Sequence, residues 1–464
     1  MITTKNNEHK KLNFSSEREQ SQACLNSAEH EKNQGRKVLN VPNKREQNQT
    51  CLDFAEREGL RPKGNVPNLR FPEFQGEWEE LGLSELLDFK NGLNPKPDKF
   101  GKGIKFISVM DILNNAVITY DCIKASVDVT EKELSDFSVE KGDILFQRSS
   151  ETLEDVGRAN VYMDDNTAVF GGFVIRGKKK GEYDPQYFNY LLRSPFARKR
   201  IIPMGAGAQH FNIGQEGLSK VKLHFANIEE QKKIGKMLSL LDERIATQNK
   251  IIDKLQSLIK GLNDLLYTQY GGEVLTSFAE LGTSYSGLSG KSAQDFGSGK
   301  PFITYLNVYS NNVIKENDFQ YVAIKDDEKQ NVVTYGDVLF TLSSETPEEV
   351  GVGSVYLGKE KVYLNSFCFG IHITNTEVAF PPYLSYYVSL TAFRKFIYPY
   401  AQGSTRFNLC KADFEKASIK LPTLADQKRI YSILSHIDNK IITERQMLDL
   451  YNSQKQYLLR QMFI

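Results

Sequence analysis

Apolar side chains recur with alternating three- and four-residue spacing along two stretches of the chain. The first stretch, which has one polar position at Gln248, contains Leu238, Leu241, Ile245, Ile252, Leu255, Ile259, Leu262 and Leu266. The second stretch, which has polar positions at Glu444 and Lys455, contains Leu434, Ile437, Ile441, Leu448, Tyr451, Leu458 and Met462. Heptads held over this length predict two long helices that pair along a coiled-coil seam.

Both predicted helices have recognisable starts. Asn227 with Glu230, and Thr423 with Asp426, resemble capping boxes. A helix of about 40 residues makes a rod of about 60 Å, because each residue adds 1.5 Å. Gln248 and Glu444 fall at the same repeat position, so a polar layer between them can fix the register. A helical hairpin within a globular core is the alternative, but the heptads favour two helices packed on each other as a spacer.

The two helices are copies of one another. Residues 229–245 and 425–441 align without a gap at an offset of 196 residues, and 7 of the 17 positions are identical. Internal repeats decide the architecture before any local motif is interpreted. This period is far too long for a solenoid unit, so the sequence predicts that two related half-proteins have been joined.

The segments before each helix also match. FISVMDI (106–112) corresponds to FITYLNV (302–308), and GAGAQHFNI (205–213) corresponds to AQGSTRFNL (401–409). KGDILFQRSSETLEDVGRANVY (141–162) corresponds to YGDVLFTLSSETPEEVGVGSVY (335–356), and Phe173 to Phe367. Short β-branched and aromatic segments predict strands at 104–111, 143–147, 159–163 and 168–176, followed by a helix over 187–200. Each half is therefore an α+β domain followed by one long helix.

These observations predict five segments. They are a polar extension at 1–64, a first domain at 65–226, a helix at 227–270, a second domain at 271–423 and a helix at 424–464. The extension is rich in Asn, Gln, Glu, Lys and Ser and nearly free of aromatics, which is typical of a disordered or loosely helical segment.

Composition excludes several classes of protein. The chain has no run of 18 apolar residues and no apolar region near its start, so neither a membrane span nor a secretory signal is expected. Five scattered cysteines without CxxC spacing suggest reduced thiols in the cytoplasm and no metal site. The formal net charge is +1, so any basic footprint for nucleic acid must be local.

The ordered set of motifs resembles the specificity subunit of type I restriction–modification enzymes. The resemblance rests on the opening VPNLRFPEFQGEW (66–78), the GD-[IV]-L-F strand with its following SSET, the G-[AS]-x-x-x-F-N-[IL] loop, and the helix that opens with Gln231, Ile234, Leu238 and Asp242. It covers residues 66–464. No single motif is specific, but the ordered set occurs twice.

This resemblance implies a non-catalytic subunit that reads double-stranded DNA. Two target-recognition domains each read one half of a split site, and the two helices pair antiparallel as a spacer that docks two modification (methyltransferase) subunits. Restriction subunits add ATP-driven translocation and cleavage. No cofactor is expected on this chain, whereas the partner subunits are expected to use S-adenosylmethionine, ATP and Mg.

The symmetry of DNA agrees with such a role. Duplicated domains on an antiparallel helix pair are related by a pseudo-two-fold axis, and duplex DNA has the same approximate symmetry. Two readers can therefore each meet one half-site, about 34 Å or more apart.

Three loops are candidates for DNA contact, since lysine and arginine bind phosphates while polar side chains read base edges. The first contains Gln209, His210 and Asn212, with counterparts Ser404, Thr405, Arg406 and Asn408. The second contains Arg148, Ser149 and Ser150, with counterparts Ser343 and Ser344. The third, at residues 90–96, contains Lys90, Asn91 and Lys96. Basic clusters at 178–180 and at Arg193, Arg198, Lys199 and Arg200 are further candidates for phosphate contacts.

Structural explanations compete with these hypotheses. Phe211–Asn212 and Phe407–Asn408 also fit a core phenylalanine followed by a turn asparagine. The serine pairs also fit a strand end, and charge runs are commonly only solvated faces. His210 against Arg406 is the kind of difference expected if the halves read different bases.

Two segments partly match catalytic motifs but lack residues that those motifs require. AFPPYL (379–384) places Phe380 where a base-flipping adenine methyltransferase needs Asp or Asn, so it is interpreted as a helix start with proline in its first turn. GSGK (297–300) lacks the other residues of a P-loop, and the six histidines have no metal spacing. A coiled-coil scaffold with duplicated protein-binding domains is the alternative function, and an enzyme with an unrecognised active site is a third.

Overall fold

The computed structural model describes residues 64–464. The predicted extension at 1–64, apart from Gly64, therefore lies outside the described residues. The described chain divides into two compact units. The first unit comprises residues 64–252 together with Thr443–Ile464, and the second comprises Asp253–Ile442. Each unit thus contains one α+β domain and parts of both long helices, which span Ile228–Tyr270 (α1) and Leu424–Gln461 (α2).

Two four-stranded sheets form the first unit. One is antiparallel and has the strand order Leu87–Asn91, Val174–Lys179, Ile144–Gln147 and Ala159–Val161. The other is mixed, with the order Ser126–Val127, Phe100–Ile107, Ala168–Phe170 and Ser138–Val139. Two short ribbons complete it, pairing Glu79–Gly82 with Lys222–Phe225 and Ser149–Ser150 with Phe211–Asn212.

The second unit repeats this plan. Its antiparallel sheet has the order Gly282–Ser286, Cys368–Ile373, Val338–Thr341 and Gly353–Val355. Its mixed sheet has the order Gln320–Val322, Phe296–Ile303 and Tyr363–Leu364. One ribbon pairs Val274–Thr276 with Ile419–Leu421. In the other, Phe407–Leu409 is the middle strand and pairs with both Ser343–Ser344 and Ala401–Gln402.

Short helices connect these strands. In the first unit they are Leu83–Leu86, Val109–Asn114, Glu131–Phe137, Pro185–Arg193, Pro195–Ile201 and Gln215–Ser219. In the second they are Phe278–Leu281, Tyr305–Ser310, Pro381–Tyr387, Thr391–Ile397 and Lys411–Lys416. Pro381 and Pro382 begin their helix, as the sequence predicts. Across residues 64–464, no helix is long and apolar enough to cross a membrane.

Some predicted elements are wrong at their ends. The strand expected over 104–111 stops at Ile107, because Asp111 accepts hydrogen bonds from the backbone and hydroxyl of Ser108 (both 2.7 Å) and starts a helix there. The single helix expected over 187–200 is two helices. Ser194 ends the first and its hydroxyl caps the second, which opens with Pro195.

The repeated Gly-Asp pair has a structural role in both units. Gly142 and Gly336 have φ of 95° and 90°, a region that glycine enters without steric cost. The adjacent Asp143 is buried and accepts from the backbone amides of Glu140 and Lys179, both at 3.0 Å. Asp337 likewise accepts from the amide of Thr334 at 3.0 Å. The motif therefore closes the turn that leads into the central strand of each antiparallel sheet.

Both long helices begin at the predicted caps. Asn227 Oδ1 accepts from the Glu230 amide at 2.9 Å, and Thr423 Oγ1 accepts from the Asp426 amide at 3.2 Å. The reciprocal half of the first capping box is absent, however. The Glu230 carboxylate is fully buried and instead binds Arg70 through two hydrogen bonds of 2.7 and 2.8 Å. The opening segment of the domain is thereby fastened to α1.

The ends of α1 and α2 enter the domain cores. In the first unit, Ile234 and Leu238 of α1 pack in one cluster with Leu459, Met462 and Phe463 at the end of α2 and its following residues. In the second unit, Leu266 of α1 packs with Ile430 and Leu434 of α2. The ends of the helices thus lie in domain cores, as the alternative of a helical hairpin in a core predicts. The middle of α1 packs on α2, as the coiled-coil prediction states.

The helices pair antiparallel within each unit. In the first unit, Asp242 pairs with Lys455, and Gln248 donates hydrogen bonds to Glu444. Residue numbers therefore increase along α1 where those of the facing residues in α2 decrease. In the second unit, Tyr270 near the end of α1 stacks with Arg429 near the start of α2. Every proposed helix-pairing side chain is buried or half-buried: Leu238, Leu241, Ile245, Ile252, Leu255, Leu434, Ile437, Ile441, Leu448 and Tyr451. The predicted α+β fold with an antiparallel helix pair is confirmed.

A polar cluster sits on the seam of the first unit. Asp242 accepts from the Tyr190 hydroxyl at 2.7 Å and pairs with Lys455 at 2.5 Å. Its counterpart Asp438 accepts from the Tyr386 hydroxyl, but the position equivalent to Lys455 is Ile259. Burial raises the pKa of Asp438, and the hydrogen bond from Tyr386 lowers it in part. The two copies therefore stabilise the same carboxylate differently.

This difference predicts opposite effects of one substitution. Asp242→Asn leaves Lys455 without its partner and should lower the unfolding free energy by about 3 kcal/mol. Asp438→Asn removes a charge whose folded pKa lies above the unfolded one, so at pH 7 it should leave stability unchanged or raise it. Any gain should shrink as the pH falls through the raised pKa of native Asp438, because the carboxyl then becomes protonated and carries no buried charge. Denaturant titration of both variants in the full chain measures this, and equal losses would contradict it.

Candidate nucleic-acid interface

Two of the candidate loops meet in the first unit. Ser149 lies opposite Asn212 and Ser150 opposite Phe211 in a short antiparallel ribbon. The Ser149 hydroxyl also donates a hydrogen bond to Asn212 Oδ1. The folded chain thus joins segments that are far apart in sequence into one polar platform.

The second unit builds the same platform in the same register. Ser343 lies opposite Asn408 and Ser344 opposite Phe407. Here Arg406 takes part directly, since its Nε donates to the Ser343 hydroxyl at 2.8 Å. The Tyr305 hydroxyl donates to the Ser343 carbonyl at 2.8 Å, which fixes the platform against a neighbouring helix.

A hairpin tip projects from each platform. In the first unit, Ala206 and Asn212 exchange two backbone hydrogen bonds of 2.9 Å, and Gly207 turns the chain with φ of 146°. Gln209 and His210 at the tip are exposed. In the second unit, Gly403 has φ of 147°, and Ser404, Thr405 and Arg406 are exposed. Asn212 and Asn408 are exposed as well, whereas Phe211 and Phe407 pack against the domain cores.

An open cleft of about 260 Å³ adjoins the first platform. It is lined by Asn94, Arg148, Ser149, Gly172, Phe173 and Asn212. All three candidate loops therefore contribute to one surface, and Asn94 is the member of the third loop that reaches it. Asn94 lies within the candidate loop at 90–96, whereas Phe173 was not among the predicted contacts, although its match to Phe367 in the repeat was a usable signal.

Other candidates lie elsewhere or are already engaged. Lys90 and Asn91 end a strand instead of lying in a loop, and Lys90 pairs with Asp136 at 3.0 Å. Lys96 is exposed. Exposed pairs of this kind contribute at most about 1 kcal/mol, so lysines in them can exchange a carboxylate for a phosphate.

The basic clusters differ in their availability. Lys178 and Lys180 form exposed ion pairs with Glu140 and Asp88. Arg198 instead donates to the carbonyls of Glu154, Val156 and Gly157 at 2.6–2.9 Å. Burial lowers the pKa of Arg198 to about 10.

Arg394 repeats the contacts of Arg198 in the second unit, where it donates to the carbonyls of Glu348, Val350 and Gly351. Arg198 therefore holds the loop after the serine pair. Its contact with phosphate stays a prediction.

The surface carries groups that suit recognition of nucleic acid. It offers hydroxyls, amides, an imidazole and guanidinium groups, which are the donors and acceptors that read base edges and phosphates. Among residues 64–464, no group of three or more His, Cys, Asp or Glu side chains is placed to hold a metal ion. Rigid strands carry variable tips, as is usual where binding residues lie on loops.

A duplicated α+β domain with this repeated polar platform on an antiparallel helix pair defines a class of DNA-specificity proteins. The family described as "Type I restriction modification DNA specificity domain" matches residues 75–257 and again 283–450. The chain belongs to this family and carries its domain twice. The family is in general non-catalytic, and the chain's role is that of a DNA specificity subunit.

Known proteins agree with this membership. The chain is 27% identical over 414 residues to the putative type I restriction enzyme MjaX specificity subunit of Methanocaldococcus jannaschii, across 82% of this chain and 91% of that protein. It is 22% identical over 186 residues to the EcoKI specificity subunit of Escherichia coli K12, across 39% of each. A solved structure described as the structural basis of complex assembly of the type I R-M system shares the fold, with a TM-score of 0.53 and 15% sequence identity. The match covers 82% of this chain and 96% of that chain.

The hairpin tips allow a direct test of the surface. Gly207→Ala forces a positive φ on alanine and places its Cβ 2.0 Å from the His210 carbonyl oxygen, so the tip must rearrange. We expect about a tenfold loss of affinity for DNA, the magnitude of one base-reading contact, with little change in thermal stability because the tip is exposed. Competition binding with DNA altered in one half-site at a time measures the effect.

Two matched variants accompany this change. Gly403→Ala meets the Arg406 carbonyl oxygen at 2.0 Å and should weaken recognition of the other half-site. Gly214→Ala has open space around its Cβ and should bind as the native chain does. Equal affinity of all three variants for the target would show that the tips do not contact DNA.

Proposed function

We propose that each unit reads one half of a bipartite DNA target. The observation that carries this proposal is the platform built twice in one register with different side chains. Gln209 and His210 at the first tip correspond to Thr405 and Arg406 at the second. Because hydrogen-bonding groups at the tips differ while the backbone beneath them is shared, the two units read different bases with the same geometry.

The arginines are distributed unequally between the platforms. Arg148 follows the central strand of the first unit, and its Nη1 lies 3.4 Å from the Gly172 carbonyl oxygen. Leu342 takes that place in the second unit, where Arg406 at the tip supplies a guanidinium instead. A guanidinium is the commonest reader of guanine in the major groove. Each unit therefore presents its guanidinium at a different position on its platform.

The paired helices act in this proposal as the spacer. α1 has 43 residues and contributes to both units. The buried apolar side chains of α1 pack against α2 and the domain cores. The helix itself has no loop that could enter a DNA groove. The helices therefore set the number of unread base pairs between the half-sites and read no bases themselves.

The outer faces of the helices are the docking site for two modification subunits. Ile251 and Met447 occupy equivalent positions and are 38% and 40% exposed, and Leu450 beside the second is 69% exposed. Apolar side chains repeated on a solvent face fit a protein partner. The modification subunits supply S-adenosylmethionine chemistry, and restriction subunits supply ATP- and Mg-dependent translocation and cleavage. This chain determines which DNA sequence the complex recognises, and the complex acts in the cytoplasm.

A domain exchange tests the half-site proposal. Residues 271–423 are replaced by the corresponding domain of a relative, and the chain is assembled with its modification subunits. Sequencing of methylated DNA should then show one half-site altered while the other half-site and the gap persist, because each platform is complete within its unit.

The reciprocal exchange of residues 65–226 serves as the control and should alter the other half-site. A change in both half-sites from a single exchange would refute modular reading.

A further inference from the structure

An exposed phenylalanine stands beside each platform. Phe173 is 68% exposed and Phe367 is 57% exposed. Each follows a short strand of the mixed sheet, Ala168–Phe170 or Tyr363–Leu364, and precedes a long strand of the antiparallel sheet, Val174–Lys179 or Cys368–Ile373. An aromatic ring exposed to water lacks the free energy that burial of its apolar surface would contribute. Because the ring is exposed at the same place in both copies, we expect a partner that covers it.

The backbone under each ring is held firmly. The Phe173 carbonyl accepts from the Arg148 amide, and the Phe367 carbonyl accepts from the Leu342 amide, both at 2.9 Å. The Phe367 amide also donates to Asn365 Oδ1 at 2.9 Å. Each ring thus projects from a residue whose carbonyl is bound by the residue directly before a serine pair, so it moves with the platform and not as a free loop.

The surroundings identify the partner as nucleic acid. The cleft beside Phe173 is lined by Asn94, Arg148, Ser149 and Asn212, which supply amide, guanidinium and hydroxyl groups. A protein partner for an exposed aromatic ring would be matched by further apolar side chains around it, whereas DNA offers phosphates and base edges to the polar groups and stacked bases to the ring.

The repeat also indicates what the ring does. Tip residues differ between the units, and so do Arg148 and Leu342, yet phenylalanine occurs in both. A side chain common to two readers of different sequences performs a task that does not depend on sequence. Stacking against bases is such a task, because every base has an aromatic face.

We propose that Phe173 and Phe367 each insert as an apolar wedge between two stacked bases of one half-site. The wedge partly unstacks one base step and seats the platform in the groove at a defined position. This inference rests on the proposed reading of one half-site by each unit. It assigns to the two phenylalanines a positioning contact with DNA that is independent of base identity.

Base unstacking reports the wedge directly. The chain is assembled with its modification subunits and bound to duplexes that carry 2-aminopurine at successive half-site positions other than the methylated base. The native complex should raise 2-aminopurine fluorescence at one step in each half-site. Phe173→Ala should abolish the rise in the first half-site only and weaken binding about tenfold, the loss expected for one stacking contact, and Phe367→Ala should do the same in the second.

Matched variants separate the ring from general effects. Phe173→Leu keeps apolar bulk and should retain part of the fluorescence rise. Leu275→Ala removes another exposed apolar side chain, 66% exposed on the strand Val274–Thr276, and should change neither fluorescence nor affinity. The thermal stability of each variant should match that of the native chain, because the altered side chains lie in solvent.

The remaining outcomes decide the inference. Specific binding and methylation by the native complex without a fluorescence rise at any probed step would overturn the wedge and leave half-site reading intact. Loss of subunit assembly in Phe173→Ala, seen by gel filtration, would make the ring a protein contact and overturn the wedge as well. If the native complex shows no preference for any bipartite sequence, half-site reading itself fails.

Discussion

The rest of the structure depends on the antiparallel pairing of the two long helices. Within each unit, one helix enters the domain core and the other completes it, so neither α+β domain is finished by a continuous stretch of chain. Trp78 of the first domain packs edge-on against Phe463 beyond the end of α2. Both domains therefore need parts of both helices to complete their cores.

Duplication explains how one backbone carries two platforms with different tips. The turn closed by Asp143 or Asp337, the arginine that holds the loop after the serine pair, and the serine–asparagine ribbon are the same in both units. Each of these contacts has a backbone group on at least one side, and together they keep the platform rigid. The exposed tips make few contacts with the rest of the domain, so they can change without cost to the fold.

The copies have also diverged inside. Asp242 is stabilised by a lysine, whereas Asp438 depends on a tyrosine hydroxyl. The central polar layer joins Gln248 to Glu444, both buried. An amide–carboxyl pair favours the heterologous pairing of α1 with α2, since two glutamates at that position would repel each other in a low-dielectric seam.

Periodicity and repetition predicted the architecture well, because heptads and a gapless repeat are signals that extend over many residues. The burial of Leu238, Ile252 and Ile441 follows from that pattern. Local choices were less predictable. The strand end at Ile107 depends on one side-chain cap, and the split after Arg193 depends on one Ser-Pro pair.

The site was predicted as three separate loops. Their meeting around Phe173 depends on sheet topology that no local pattern contains, which is why Phe173 was not among the predicted contacts. The sequence likewise does not show that the Arg198 guanidinium donates to the carbonyls of Glu154, Val156 and Gly157.

The most direct test of the central claim is the methylation pattern that the chain imposes. Cells that express the chain with its modification subunits are sequenced for methylated bases across the genome. The structure predicts one motif made of two specific parts separated by a fixed number of unread base pairs, absent when this chain is omitted. A contiguous motif, or methylation that does not depend on the chain, would contradict the proposal that each unit of this chain reads one half-site.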